Sequence, residues 1–322
     1  MPRLLALLAL AAGLTEPELT AAATGAPAAP GPHPRIEARF DPDAFALGAK
    51  GIEEWIARSA AIVSKYYGRF PVPVLRVRLV ASAGAGVRTG HAWPGTGPGI
   101  EVTLGRDTSA EALERDWVLV HEMIHLALPE LAERHNWLAE GLATYVEGMA
   151  RVASGNLSAE ELWAEYVASM PKGEPQPGDL GLDRTPTWAR TYWGGALFAL
   201  NADVAIRAAT GNRRGLKDAL RAVLEASGGM RAEWPIERVF ATGDAATGTH
   251  VLADRYAEER DRPVTTDLAA LWAGLGVSGA GAEVRLETGT SKASLREALT
   301  APDAASALPP VEIVAAGPAP SS

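Results

Sequence analysis

The chain has 322 residues, 47% of them apolar, with a formal net charge of −9, which suits one large domain or two modest ones around a packed core. The negative balance argues against nucleic acid or an anionic membrane surface as a partner. There is no cysteine, so disulfides, thiolate ligands and cysteine nucleophiles are excluded and any metal must be held by His, Asp or Glu.

The N-terminus has a secretory pattern. Arg3 supplies a short basic region, Leu4–Leu14 is an apolar run, and Ala21-Ala22-Ala23 offers small residues for cleavage. The run is too short to span a bilayer. Residues 1–23 are therefore expected to be a signal peptide, and the mature chain to be secreted or held in the periplasm or cell envelope without a membrane span. An N-terminal core helix is the alternative. Residues 24–34 are rich in Pro, Ala and Gly and are expected to be a disordered linker. Residues 302–322 have a similar composition and are expected to be a disordered tail, leaving 35–301 as the folded domain.

Within that domain Arg35–Phe40 alternates as a strand does. Ala49–Tyr67 has helical apolar spacing at Ile52, Trp55, Ile56, Ile62 and Val63, with Gly68 placed as a C-terminal cap. Val74–Val80 alternates apolar and basic residues. Val87–Trp93 and Ile100–Leu104 flank the turn residues Pro94–Gly99 and predict a hairpin. A capping box at Thr108-Ser109-Ala110-Glu111 opens a helix expected to run to about Leu128 and stop at Pro129. It is apolar on most sides, Trp117 included, and is expected to be buried. Further helices are expected at about Trp137–Val152 with Asn136 as cap, Ser158–Met170, Thr191–Ala209, Leu216–Ala226, Val251–Arg260 and Asp267–Leu275, with a Pro/Gly loop over 171–186. The fold class is α+β: a small N-terminal sheet and a mainly helical C-terminal lobe.

Chemistry concentrates in two short motifs, His121-Glu122-Met123-Ile124-His125 and Trp137-Leu138-Ala139-Glu140-Gly141. His121 and His125 lie one helical turn apart on the same face, so both rings reach one ion. Glu140, on the next helix, reads either as a third ligand or as a glutamate favoured near a helix N-terminus by the dipole. Three protein ligands with an open position is the pattern of a catalytic zinc site. Glu122 is placed to act as general base on a metal-activated water, or else to support the ligands. Glu147 lies two turns beyond Glu140 on the same face; it either fixes the tautomer of a ligand histidine or is simply solvated. Tyr192 can donate a hydrogen bond to a developing oxyanion, or serve packing alone. His91 reads as a substrate contact or a surface residue, and Glu101 as a binder of a substrate ammonium on an exposed sheet edge at Ile100–Leu104 or as part of a plain structural strand, while His33, His135 and His250 carry no ligand role.

With these motifs the chain resembles the gluzincin zinc metallopeptidases, in particular the catalytic domain of the glycyl-aminopeptidase family and more distantly aminopeptidase N. The resemblance covers roughly Asp107–Leu224. It rests on the two-histidine motif, on Trp137–Gly141 at the third-ligand position, and on Tyr192-Trp193-Gly194-Gly195, which aligns with the family's Tyr-x-Lys-Gly. It implies a zincin-like (thermolysin-like) fold, Zn2+ held by His121, His125 and Glu140, Glu122 and Tyr192 as catalytic groups, and a peptide or protein substrate. Gly194 stands where those families have lysine, and the Gly-x-Met-Glu-Asn strand of aminopeptidase N has no clear counterpart. A silent binding protein on a zincin fold, or a zinc hydrolase acting on a non-peptide bond, are the alternative functions.

Overall fold

The computed structural model describes residues 34–95, 97–302 and 310–316. The expected signal peptide, and the expected linker up to residue 33, lie outside the described residues. Among those described, no helix is long and apolar enough to cross a membrane.

The N-terminal part is a five-stranded sheet backed by a long helix. β1 (Arg35–Arg39) leads through a short 3-10 turn to α1 (Gly48–Tyr67), which buries Ile52, Trp55, Ile56, Ile62 and Val63 and ends at Gly68 in the left-handed region. β2 (Val74–Ser82), β3 (Val87–Trp93) and β4 (Gly99–Gly105) follow. Strand order is β3-β4-β2-β1-β7, with β7 (Glu312–Ala316) reached at the end of the chain. All neighbours pair parallel except β3, which runs antiparallel to β4 as the expected hairpin. Leu75, Val77, Leu79, Ile100, Val102 and Leu104 are buried, each worth about 1.5–3 kcal/mol of transfer free energy. The opposite face carries cross-strand ion pairs, Arg78–Glu101 at 2.8 Å and Arg76–Glu37 at 3.9 Å. Exposed pairs of this kind contribute at most about 1 kcal/mol, so the apolar face holds the sheet.

Two expectations change here. β4 is an inner strand and Glu101 is engaged by Arg78, so the edge on this side of the sheet is β3, and Ile100–Leu104 is the plain structural strand of its two readings. Residues 312–316 are not tail but a strand paired with β1. The composition of the segment hides this because a short edge strand draws its stability from its partner.

The helical part begins with a second correction. The helix expected over 109–128 is two: α2 (Ala110–Glu114), capped by Ser109, and α3 (Val118–His125). The break falls at Asp116, whose carboxylate accepts from the N–H groups of Val118 and Leu119 at 3.1 and 3.2 Å and from the Trp55 indole at 3.1 Å. Side-chain capping there outcompetes continuation of the helix. Trp117, expected inside, is 51% exposed. The chain continues through α4 (Asn136–Ser154), α5 (Ala159–Ser169, with the capping box of Ser158 and Glu161), a π-helical turn at Arg190–Gly194, α6 (Gly195–Thr210) and α7 (Leu216–Ser227). Next come α8 (Ile236–Thr247), α9 (Val251–Glu259), α10 (Leu268–Leu275), the small hairpin β5 (Val277–Ser278) and β6 (Arg285–Leu286), and α11 (Ala293–Thr300). α8 and α11 are not among the expected helices, although Ile236, Val239 and Phe240 of α8 have helical spacing. α8 contains Gly243, a poor helix former, and a Cβ there would sit 2.6 Å from Leu252 Cδ1. Close helix packing has overridden intrinsic propensity.

Candidate metal centre

His121 and His125 emerge from the last two turns of α3 with ring centroids 5.0 Å apart. Glu140 comes from the second turn of α4. Its Oε2 lies 3.2 Å from His121 Nε2 and 3.5 Å from His125 Nε2, and the three donor atoms lie within 4.8 Å of one another. Donors about 2.0–2.1 Å from a tetrahedral zinc ion stand about 3.3 Å apart, so this set fits that ion. The site is also electronegative: the adjoining cavity, about 330 Å³, is lined by Glu122, Glu130, Glu133 and Glu140, with no Lys or Arg among its described lining residues. Such carboxylate density favours a bound cation.

The tertiary packing behind these ligands is tight. α4 crosses the start of α6 with backbones in contact: a Cβ on Gly195 would meet Trp137 O at 2.1 Å, and one on Gly141 would meet Gly195 Cα at 2.3 Å. Glycine at both positions lets the two helices touch next to Glu140 and Tyr192. Arg190, buried in the π-turn, hydrogen-bonds Gly173 O and lies 2.8 Å from Asp179, fixing the turn that presents Tyr192. At the head of α4, Asp183 accepts from the Trp137 indole and the Tyr256 hydroxyl, both at 2.7 Å, and its Oδ1 lies 2.9 Å from His135 Nδ1. His135 is thus a buried anchor of the ligand helix and not a ligand.

Electrostatics follow from this burial. Burial, aided by the neighbouring Glu140 charge, pushes Glu122 up to about 7 against the opposing pull of His125 and the Ala92 N–H. Burial alone would raise Glu140, but hydrogen bonds from His121 and His125 override it and hold the carboxyl well below its usual range. Burial lowers His121, whereas in His125 the hydrogen bond and charge of Glu140 outweigh burial and raise it. Tyr192, stacked on the His121 ring at 6.2 Å, is pushed up to about 12 by burial and by the nearby Glu140 carboxylate. It is a protonated donor at neutral pH.

The structure thus brings together His121, His125, Glu140, Glu122 and Tyr192. It does not bring Glu147 to them in the expected way. Glu147 is buried and accepts from Arg151 Nη1 at 2.7 Å, while His121 Nδ1 has no hydrogen-bond partner. The i, i+4 partner on its own helix captures the carboxylate. Arg151 in turn bonds Asn156 and the carbonyl of Arg115, so this pair braces the break in front of α3. His91 is exposed, lines the cavity and stacks on Trp93; His250 caps α9 far along the chain. Sequence reasoning missed Gly90, Asp183, Arg190 and Asp116. Only Asp116 carried a signal: an aspartate two residues ahead of an apolar helical run.

No family model matches the chain, and no curated protein matches it. Among solved structures it is similar to the aminopeptidase N family protein of Idiomarina loihiensis, at 12% identity and a TM-score of 0.53, covering 72% of this chain and 46% of that one. The fold is shared with that protein. The chain is also similar to the M1 zinc metallopeptidase of Deinococcus radiodurans (17% identity, TM-score 0.47, 74% of this chain and 51% of that one). A mutant of that enzyme bound to a Tyr-Ser-Ala substrate gives 17% identity and a TM-score of 0.42 over 65% and 44%. The chain spans about half the length of these structures. The Deinococcus radiodurans neighbours are zinc metallopeptidases.

Proposed function

We propose that this chain is an exported zinc-dependent peptidase of the gluzincin type, with a thermolysin-like arrangement of edge strand, ligand helices and cleft. In sequence it resembles the catalytic domain of the glycyl-aminopeptidase family through Trp137–Gly141 and Tyr192–Gly195. One observation carries the reading: His121, His125 and Glu140 converge at tetrahedral spacing while Glu122 and Tyr192 face the same cavity beside the β3 edge. The apolar leader around Leu4–Leu14 supports export.

Zinc held by His121, His125 and Glu140 would supply a Lewis acid for the scissile carbonyl and make an attacking water more acidic. An extended peptide lies along β3, pairing with its outward backbone groups. Glu122, facing the cavity beside the three proposed ligands, takes a proton from the attacking water and delivers it to the leaving amine. The Tyr192 hydroxyl donates to the carbonyl oxygen as negative charge develops there.

Digestion of a mixed peptide library, read by mass spectrometry with a chelated sample alongside, tests this reading. Chelator-sensitive cleavage is expected. Glu122→Ala should lower turnover by about 10²–10⁴ while the zinc content stays at one per chain. A zinc-loaded protein that cleaves no peptide, or an E122A variant that keeps most of its activity, would overturn the assignment.

A further inference from the structure

Of the nine tryptophans, only Trp117 and Trp188 are exposed, at 51% and 63%. Each is attached to the proposed active site by a ring contact. Trp188 stacks on Tyr192 with centroids 5.8 Å apart and planes 28° apart. Tyr192 stacks on His121, and Trp117 meets His121 edge-on at 5.7 Å. The rings form a continuous run, Trp188–Tyr192–His121–Trp117, that starts and ends in solvent and passes through a metal ligand. Neither tryptophan lines the acidic cavity; Tyr192 belongs to both features.

We propose that Trp188 and Trp117 form an aromatic substrate platform that selects peptides with an aromatic or large apolar side chain within a few residues of the bond that is cut. The proposal rests on the peptidase reading and names the substrate class of that site.

The physical case has three parts. An exposed indole forfeits the burial that most tryptophans achieve, and a stacked partner holds its plane fixed, so a ligand ring finds a surface already ordered. The position is within reach, because an extended peptide advances about 3.3 Å per residue and Trp188 is two ring contacts from His121. The surroundings favour an apolar occupant over a cation, although a cation also binds indole faces. The loop that leads into Trp188 exposes Leu180, Lys172 and Arg184, while its acids Glu174, Asp179 and Asp183 are buried or half-buried and partnered.

The test uses the full chain loaded with zinc and three peptide sets that differ only in carrying Phe, Ser or Lys at scanned positions around the cleaved bond. The wild-type kcat/KM is expected to favour Phe over Ser by about tenfold at one or two positions. Trp188→Ala should bring that ratio close to one, Trp188→Phe should retain most of it, and Trp117→Ala should reduce it at a different position. Zinc content and the circular dichroism spectrum of each variant separate loss of the platform from loss of the site or fold. A Phe preference unchanged in both alanine variants, or a preference for Lys that Trp188→Ala abolishes, would overturn the proposal. Absence of cleavage of every set by the wild type would instead defeat the peptidase reading. In that case calorimetric binding of the Phe peptides decides: binding lost in Trp188→Ala supports the platform, and equal binding of Phe and Ser peptides refutes it.

Discussion

Gly90 of the edge strand lies against Glu122 so closely that a Cβ built on it would stand 2.6 Å from the glutamate Cγ and 2.8 Å from its Oε1. The Ala92 N–H of the same strand favours the charged form of that carboxylate. β3 is therefore both the wall of the cleft and the mould that sets the position of the proposed general base.

Gly90→Ala is expected to displace Glu122 without unfolding the sheet, since β3 is an edge strand. A misplacement of about 1 Å at a reacting group costs on the order of 10² in rate. Steady-state kinetics should show kcat lowered by about that factor, with zinc content unchanged. Wild-type kcat in G90A would show that the contact is slack and Glu122 free to adjust.

Tyr192→Phe removes one hydroxyl and leaves the stack on His121 and Trp188. Loss of one oxyanion donor lowers kcat by about 10²–10³. KM should move by no more than a few fold, because the donor acts on charge that develops in the transition state. Equal losses in kcat for Y192F and in peptide affinity would assign the tyrosine to binding instead.

Asp116 caps α3 and accepts from the buried Trp55 indole. Asp116→Ala should destabilise the fold by about 2 kcal/mol, from the lost cap and the unpaired indole donor. Urea unfolding at fixed zinc concentration measures it. Asp116→Asn, which keeps an acceptor, should recover about half.

Glu147 gives a pH signature of stability. Burial pushes its pKa up from 4.5 to about 7, against the attraction of Arg151. A carboxyl with a raised folded pKa binds its proton more readily in the folded chain. Its contribution is therefore fully present below about pH 4.5 and is lost as pH climbs through about 7. Relative to wild type, Glu147→Gln should gain stability across that window by at most about 2–3 kcal/mol, whatever its offset from disturbing Arg151. Parallel denaturation curves from pH 4.5 to 7.5 would show the stability of E147Q minus that of wild type rising steadily with pH. Profiles that stay parallel would mean that Arg151 keeps Glu147 ionised throughout.

Much of the local architecture is legible in one dimension. The spacing of Ile52, Trp55, Ile56, Ile62 and Val63 with Gly68 behind it specifies α1 and its end, because helical period and left-handed glycine caps are short-range properties. The alternation in Val74–Val80 and the turn residues Pro94–Gly99 likewise specify strands and a hairpin. His121 and His125 share a face by helical geometry alone, so two ligands and the neighbouring glutamate could be named without a structure.

What lies beyond that depends on which elements meet. Glu140 reads equally as a ligand or a dipole-favoured glutamate until α4 is folded back on α3, which places its carboxylate 3.2 and 3.5 Å from the two histidine nitrogens. Glu147 has the right helical phase for a histidine partner, yet Arg151 one turn away takes it. Trp117 is apolar and sits in an apolar run, but the Asp116 cap ends α2 and leaves the indole in solvent. Gly90 and Gly195 look like ordinary glycines; their requirement comes from backbones and side chains that approach from distant parts of the chain. Periodicity and caps are set by neighbours within a turn, and sequence alone determines them. The position of Glu140 beside the two histidines, the mould around Glu122 and the exposed aromatic rim are set by long-range contacts, which only the tertiary structure brings about.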